Sequence, residues 1–261
     1  MNCLINGEDT CELIQSIDLY RTCISVIERI LSERRTDLLP KQANVFTTNY
    51  DLLIEQASAH SHGMKLNDGF SRLPNPSSRP EFSSANFFDR TYNSGNFYDY
   101  KVEIPSINLI KMHGSLSWRW NGNEVVYDAA AVEPCGENAE VNEIKDFLAQ
   151  YAIVLPEINK FRKTTLDRIY YDLLRIFANQ LDRENTLLVT FGFSFGDQHI
   201  LDIVHRALKN PTLKLVIFAY NDRDTKRFSE QFDTQSNVDV IAPQTGATID
   251  FNCFNEMLSH C

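Results

Sequence analysis

The sequence LLVTFGFSFGD, at residues 187–197, is one of three segments that together indicate the fold class. It begins with a short, almost wholly apolar run, which is typical of a strand buried on both faces of a parallel sheet. Polar residues follow the strand, as they do in NVFTTNYD at 44–51 and LIKMHGS at 109–115. In an open α/β sheet the carboxyl ends of the strands form the ligand crevice. We therefore expect the polar residues of all three segments to face one small molecule.

Outside these segments, apolar residues recur every three or four positions, which predicts amphipathic helices. The predicted helices are 13–31, 51–59, 166–181, 200–208 and a last one from about 250. The predicted strands are 43–48, 107–112, 187–191, 213–219 and 238–242. This alternation predicts an α/β fold in which a Rossmann-like parallel sheet is covered by helices on both faces.

Two irregular stretches interrupt the pattern. Residues 61–106 are rich in Pro, Ser and Asn, and 82–100 contain seven aromatic residues that we expect to pack on other parts of the protein. A hairpin is predicted at 118–127, and the acidic stretch 128–142 is predicted to be a loop. We assign 1–60 and 101–261 to the Rossmann-like domain. A smaller inserted module over the crevice is assigned to 61–100 and 121–160.

Composition excludes several classes of protein. The net charge of −10 argues against a nucleic-acid face, which would need clustered Lys and Arg. The six cysteines contain no C-x-x-C pair, so we predict no metal site. The sequence has no apolar run of membrane-spanning length and no signal peptide pattern, so we expect a cytoplasmic protein that does not bind membranes.

Four motifs in order resemble the sirtuin superfamily, specifically its divergent bacterial branch of sirtuin-like domains. They are TTNYD at 47–51, HGS at 113–115, GFSFGD at 192–197 and the late strand that ends at Asn221. The resemblance covers most of the chain from about residue 43 onward. It implies a Rossmann-like NAD site and cleavage of the bond between nicotinamide and ribose.

The resemblance also implies roles for individual residues. Asn49 would orient a water or the ribose at the anomeric carbon, His113 would be the general base, and Asp51 would hold the nicotinamide carboxamide. The implied NAD-binding residues are Thr48, Gly192, Ser194 and Asn221. Thr48 stands where sirtuins usually have glutamine.

Elementary chemistry supports these roles, because breaking this bond builds positive charge on the sugar and a nearby amide or carboxylate oxygen stabilises it. Structural interpretations remain open for the same residues. Asn49 and Asp51 have the residue types of a strand-end turn and a helix cap, and His113 could be a hydrogen-bonded structural histidine. Asp197 is predicted to be a helix N-cap, since a carboxylate would repel phosphate.

The sequence departs from the sirtuin pattern at two places. The four-cysteine zinc module of the deacylases is absent, which favours NAD hydrolysis over protein deacylation. The opening residues 1–7 show neither the family's first strand nor its glycine-rich loop, so we expect either a shortened chain or a replaced loop.

The leading hypothesis is an NAD hydrolase that acts as an anti-phage defence effector. NAD is then a substrate, and the expected partners are further copies of the chain and an ATPase or Argonaute-type protein. The first alternative is a non-catalytic NAD- or ADP-ribose-binding or assembly module. A weaker one is an NAD-dependent protein deacylase.

Overall fold

The structure is a computed structural model. It describes residues 7–34, 39–59, 61, 63–71, 79–94, 101–122, 124–129, 140–154 and 164–260, and the side chains of all of these except 7–10 and 164–167. The chain divides into two compact units, Met1–Leu173 and Leu174–Cys261.

Helices and strands alternate along most of the described chain. The helices are α1 (Gly7–Glu33), α2 (Leu53–Ser58), α3 (Val141–Leu148), α4 (Thr164–Leu181), α5 (Gln198–Ala207), α6 (Asp222–Gln231) and α7 (Phe251–Ser259), with a 3₁₀ turn at Ser84–Phe88. The strands are β1 (Gln42–Thr47), β2 (Lys65–Asn67), β3 (Phe70–Ser71), β4 (Glu81–Phe82), β5 (Tyr92–Ser94), β6 (Lys101–Glu103), β7 (Ser106–Lys111), β8 (Gly114–Asn121), β9 (Glu124–Tyr127), β10 (Tyr151–Ile153), β11 (Leu187–Phe191), β12 (Lys214–Phe218) and β13 (Val238–Ile241).

The first unit contains a parallel sheet of three strands in the order β1-β7-β2. All six residues of the central strand β7 are buried, as expected for a strand covered on both faces. Asn108 in this strand lies opposite Asn44 and Asn67, and its side chain is hydrogen-bonded to both. These bonds satisfy the buried amide and fix the register of the three strands.

Helices α1 and α2 cover one face of this sheet. Ile24 of α1, Ala57 of α2 and Ile107 of β7 belong to one buried cluster, which Met64 completes. The apolar stripe predicted at 13–31 is therefore the packing face of a helix from Ile17 onward, whereas Leu13 is 38% exposed. Burial of this stripe explains why a long helix forms here.

A second sheet in the first unit is antiparallel and has the strand order β10-β8-β9-β4-β3. Strands β8 and β9 form the predicted hairpin, with Trp118 opposite Tyr127. Phe70 and Phe82 pack against Trp118, with ring centroids 5.7 and 4.6 Å away. Part of the aromatic stretch is thus ordered by packing on the hairpin, whereas residues 95–100 lie outside the described residues.

The second unit contains another parallel sheet of three strands, β11-β12-β13. Leu215 and Ile217 of β12 are almost completely buried. Phe191, the last residue of β11, stacks on Phe254 of α7 with the ring centroids 4.6 Å apart. The alternation of β11, α5, β12, α6 and β13 is the repeating unit of a parallel α/β sheet.

The predicted α/β class with parallel sheets is confirmed, and the predicted helices and strands lie within a few residues of the observed ones. Two local assignments need correction. Lys65–Asn67, placed in the inserted module, pairs with β7 in the parallel sheet. The predicted loop 128–142 ends in α3, which begins at Val141 behind a capping box that Glu140 and Glu143 form.

Some expectations concern residues beyond the described ones. The expected absence of a first strand and glycine loop falls on residues 1–7, of which 1–6 lie outside the described residues. Among the helices that the structure describes, none has the length and apolar character needed to cross a membrane.

Candidate active site

The site in the first unit is built at the carboxyl end of its parallel sheet. Thr47 ends β1 and lies opposite Lys111, which ends β7. Asn49 and His113 each follow two residues after this pair. The parallel register therefore brings these two candidate residues to the same end of the sheet.

Backbone hydrogen bonds join the segment after β1 to the turn after β7. The Met112 amide donates to the Thr47 carbonyl at 2.8 Å, and the Leu116 amide donates to the Tyr50 carbonyl at 3.0 Å. The Ser115 hydroxyl also donates to the Tyr50 carbonyl, at 3.4 Å. The two segments that carry Asn49 and His113 are thus held together by direct bonds.

His113 is half-buried in the turn between β7 and β8. Its carbonyl accepts a hydrogen bond from the Val154 amide at 2.9 Å. The Val154 carbonyl accepts one from the Tyr50 hydroxyl, which ties the same turn to the segment after β1. The centroid of the His113 ring lies 6.2 Å from the centroid of the Tyr170 ring. The backbone that carries the imidazole is therefore fixed from two sides.

Gly114 follows His113 and is the reason the turn can be this tight. Its φ of +83° lies in the left-handed region that favours glycine. A Cβ at this position would also overlap the carbonyl oxygen of Ala152 in β10. The glycine of the HGS motif is thus required by the backbone.

Asn49 is exposed, and its backbone amide donates to the Thr47 hydroxyl at 3.1 Å. Its side chain is hydrogen-bonded to the hydroxyl of Tyr20 in α1. Burial is the main cause that raises the pKa of Tyr20, and the nearby Asp51 and Cys23 raise it further. Burial also raises the pKa of the Cys23 thiol to about 11, so both groups remain protonated at neutral pH. Tyr20 therefore presents a neutral hydroxyl to Asn49.

Asp51 lies in a turn just before α2 and is not its N-cap, because Leu52 occupies that position without a side-chain capping bond. The Asp51 carboxylate accepts a hydrogen bond from the Leu53 amide at 3.0 Å, which is the pattern of an Asx turn. The carbonyl of Asp51 accepts a bond from the ammonium group of Lys111. One carboxylate oxygen has a described partner, and a further role of this side chain toward a ligand stays a prediction. Thr48, the other candidate here, is half-buried.

The second unit has a corresponding set of residues at the carboxyl end of its own parallel sheet. Phe191 of β11 lies opposite Phe218 of β12, and Gly192 and Asn221 follow these strand ends. Gly192 has a φ of +65°, and the space that a Cβ would occupy is open. A dinucleotide can approach the backbone closely at such a position.

The loop after Gly192 is held in a strained conformation. Phe195 has a φ of +55°, which is unfavourable for a bulky residue. Its buried ring packs against Phe228 and Phe232 of the helix α6 region, with centroids 5.7 and 5.2 Å away. The Ser194 hydroxyl accepts a bond from the Gly196 amide at 3.2 Å. Aromatic packing thus keeps the loop in one shape.

Two polar residues of this unit cap helices. The Asp197 carboxylate accepts bonds from the His199 and Ile200 amides, which confirms its prediction as the N-cap of α5. The Asn221 side-chain oxygen accepts a bond from the Asp224 amide at 2.9 Å and caps α6. The capping bond uses only the side-chain oxygen of Asn221 and not its NH₂ group.

The order of these segments and the fold around them lead to a comparison with known families. The family description of the SIR2-like domain matches residues 43–241, which is most of the chain. The chain belongs to the SIR2-like domain family. Members of this family commonly act on NAD⁺. A search of curated proteins finds no match to the chain.

The candidate site in the first unit includes residues that the sequence did not single out. Lys111 and Glu55 form a buried ion pair beside Asp51, and Tyr20 contacts Asn49. Lys111 lies two residues before the HGS motif. The signal that could have identified it is a charged residue at the end of an otherwise apolar strand. Tyr20 belongs to the apolar stripe of α1, so its position in the sequence did not indicate a contact with the site. No cluster of three or more metal-binding side chains occurs among the residues that the structure describes.

Proposed function

We propose that this SIR2-like domain is an NAD⁺ hydrolase, which cleaves NAD⁺ to nicotinamide and ADP-ribose. The observation that supports this proposal is the register of β1 and β7. It places Asn49 and His113 two residues beyond one paired position, on segments that hydrogen bonds hold together. An amide and an imidazole at one end of a parallel sheet are suited to stabilise a sugar cation and to accept a proton.

The reaction breaks the bond between the nicotinamide nitrogen and C1′ of the ribose. The bonding electrons go to the pyridinium nitrogen, so nicotinamide leaves as a neutral molecule and positive charge builds on the ribose. The side-chain oxygen of Asn49 stabilises this charge and orients a water molecule. The water oxygen forms the new bond to C1′, and His113 accepts its proton. The products are nicotinamide, ADP-ribose and one proton.

The other candidate residues have binding roles in this proposal. Asp51 holds the carboxamide of nicotinamide, and Thr48 contacts the ribose. Gly192 and Ser194 allow the backbone to approach the phosphates, and Asn221 contacts the adenosine ribose through its NH₂ group. Hydrolysis is preferred to deacylation because the six cysteines form no C-x-x-C pairs, which the zinc module of a deacylase would need.

The wider role rests on the family resemblance. We place the domain among the effectors of anti-phage defence, which deplete NAD during infection. Such a protein assembles with copies of itself, and its partner is an ATPase or an Argonaute-type protein. The expected compartment is the cytoplasm, where NAD is available as a substrate.

The direct test is incubation of the purified chain with NAD⁺, alone and in the assembly purified from its host, followed by chromatography of the products. Equal amounts of nicotinamide and ADP-ribose are expected, and none from the variant with both Asn49→Ala and His113→Ala. Intact NAD⁺ recovered from the assembly would contradict hydrolysis and favour the binding module. Formation of acetyl-ADP-ribose with an acetyl-lysine peptide would instead establish a deacylase.

The contact between Tyr20 and Asn49 predicts a smaller effect on the same reaction. Tyr20→Phe removes one hydroxyl and leaves the ring in the core, so Asn49 loses a hydrogen bond that orients its amide. We expect kcat for nicotinamide release to fall by about 3- to 10-fold, as for the loss of one hydrogen bond. Tyr171→Phe is the matched control, because Tyr171 is 66% exposed. Equal rates for the two variants would contradict the role of Tyr20.

A further inference from the structure

A lysine is buried at the carboxyl end of the central strand β7. The side chain of Lys111 is only 4% exposed, although lysine is among the residues least often buried without a partner. Its ammonium nitrogen lies 3.0 Å from a carboxylate oxygen of Glu55 in α2, whose side chain is 15% exposed. The pair therefore joins the central strand to the helix that follows the Asn49 segment.

The same ammonium group makes a second contact. It donates a hydrogen bond to the carbonyl oxygen of Asp51. This carbonyl lies two residues after Asn49, and Lys111 lies two residues before His113. Lys111 thus connects the backbone of the Asn49 segment directly to the strand that precedes His113.

The surroundings make these contacts strong. A small cavity beside the pair has no room for a water molecule, and its lining includes the ring of Trp118 and the buried carboxylate of Asp68. Burial is the main cause that raises the pKa of the Glu55 carboxyl; Lys111 opposes this effect, and Asp68 adds to it. The second carboxylate oxygen of Glu55 is buried and has no hydrogen-bond partner among the described residues. Charges in such a dry place are weakly screened, so the position of the ammonium group is well defined.

We propose that Lys111 is a positioning residue for NAD⁺ cleavage: its ammonium group, held by Glu55, fixes the carbonyl of Asp51 and thereby the place of Asn49 relative to His113. The inference rests on the proposed function for its catalytic consequence. Its structural part, the fixing of segment 49–53, is independent of any reaction. Lys111 acts through the backbone and does not contact the substrate.

The test separates the loss of the hydrogen bond from the loss of charge balance. Lys111→Met leaves the Glu55 carboxylate buried and unpaired, which destabilises the fold. The double variant with Lys111→Met and Glu55→Gln removes both charges of the pair, so its unfolding midpoint in urea should lie clearly above that of Lys111→Met alone. It still lacks a donor for the Asp51 carbonyl. Glu55→Gln alone keeps both that donor and an acceptor for Lys111.

Two measurements follow the segment and the reaction. Hydrogen exchange of the amides in 49–53 should be at least about 10-fold faster in the double variant than in the parent. The kcat for nicotinamide release should fall by about 100-fold, with KM within about 3-fold, because a small misplacement of a catalytic group has this effect. Glu55→Gln should keep kcat within about 5-fold of the parent value.

A matched pair on the surface provides the control. Lys214 and Asp239 form an ion pair at 2.7 Å with side chains 41% and 54% exposed. The double variant with Lys214→Met and Asp239→Asn should leave both exchange in 49–53 and kcat unchanged.

Parent-like kcat and exchange in the Lys111 and Glu55 double variant would overturn the proposal, as would a loss of kcat in Glu55→Gln as large as in Lys111→Met. If the parent releases no nicotinamide, the proposed function fails, while the exchange measurement still decides whether Lys111 fixes the segment.

Discussion

Replacing His113 by Ala is expected to lower kcat for nicotinamide release by about 100- to 10,000-fold, the usual effect of losing a general base. The imidazole is the group at this end of the sheet that we assign to accept the proton of the attacking water. Its backbone is held by the Val154 amide and by the hydrogen bonds of the neighbouring turn. The substitution should therefore remove the base without moving Asn49. The rate is measured by chromatography of free nicotinamide at saturating NAD⁺.

The control for this prediction is His260→Ala, which removes an exposed histidine just after α7. It should leave the rate unchanged. A His113→Ala variant that folds normally and keeps more than about a tenth of the parent rate would contradict the assignment of His113 as the base.

Gly114→Ala is expected to lower the free energy of unfolding by about 2–5 kcal/mol. About 1–2 kcal/mol comes from placing alanine in a left-handed conformation, and about 1–3 kcal/mol from the overlap of its Cβ with the Ala152 carbonyl. The overlap involves backbone on both sides, so no side chain can rotate to relieve it. The measurement is urea unfolding followed by tryptophan fluorescence, because both tryptophans, Trp118 and Trp120, lie on β8.

Gly122→Ala separates the two contributions. Gly122 also has a positive φ, of +65°, but no atom of the described residues beyond its chain neighbours lies within 4 Å of the Cβ position. We expect this variant to lose only about 1–2 kcal/mol, the cost of the backbone conformation alone. Equal losses for the two glycine variants would show that the close approach of β10 to Gly114 has no energetic importance.

The secondary structure was largely predictable because it depends on local patterns. A five-residue apolar run gave β11 with its observed bounds, 187–191. The spacing of apolar residues predicted α4, which packs Leu173, Ile176 and Phe177 into the core. The bonding of β2 to β7 was not predictable in the same way. Strand β2 has only three residues, and its place depends on partners that are distant in the sequence.

The sequence was sufficient to predict a candidate site, because strand ends in a parallel α/β fold share one edge of the sheet. The resemblance to sirtuins implied the roles of Asn49 and His113, and the structure places them two residues beyond one paired position. Their common contact with a substrate stays a prediction.

The residues that support the site could not be found in this way. The contact of Lys111 with Glu55 and Asp51 joins positions about 60 residues apart in the chain. Tyr20 fits an apolar helical stripe equally well whether or not its hydroxyl reaches Asn49. Such contacts depend on how helices lie on the sheet, and periodicity alone carries no information about them.

The central claim is that Asn49 and His113 meet at the anomeric carbon of the nicotinamide ribose. A crystal structure of the full chain with His113→Ala, grown with NAD⁺, tests it most directly. We predict that C1′ of this ribose lies within about 3.5 Å of the Asn49 side chain and faces the space vacated at position 113. Intact NAD⁺ bound with C1′ remote from Asn49, or an Asn49 side chain directed away from the bound nucleotide, would contradict the account.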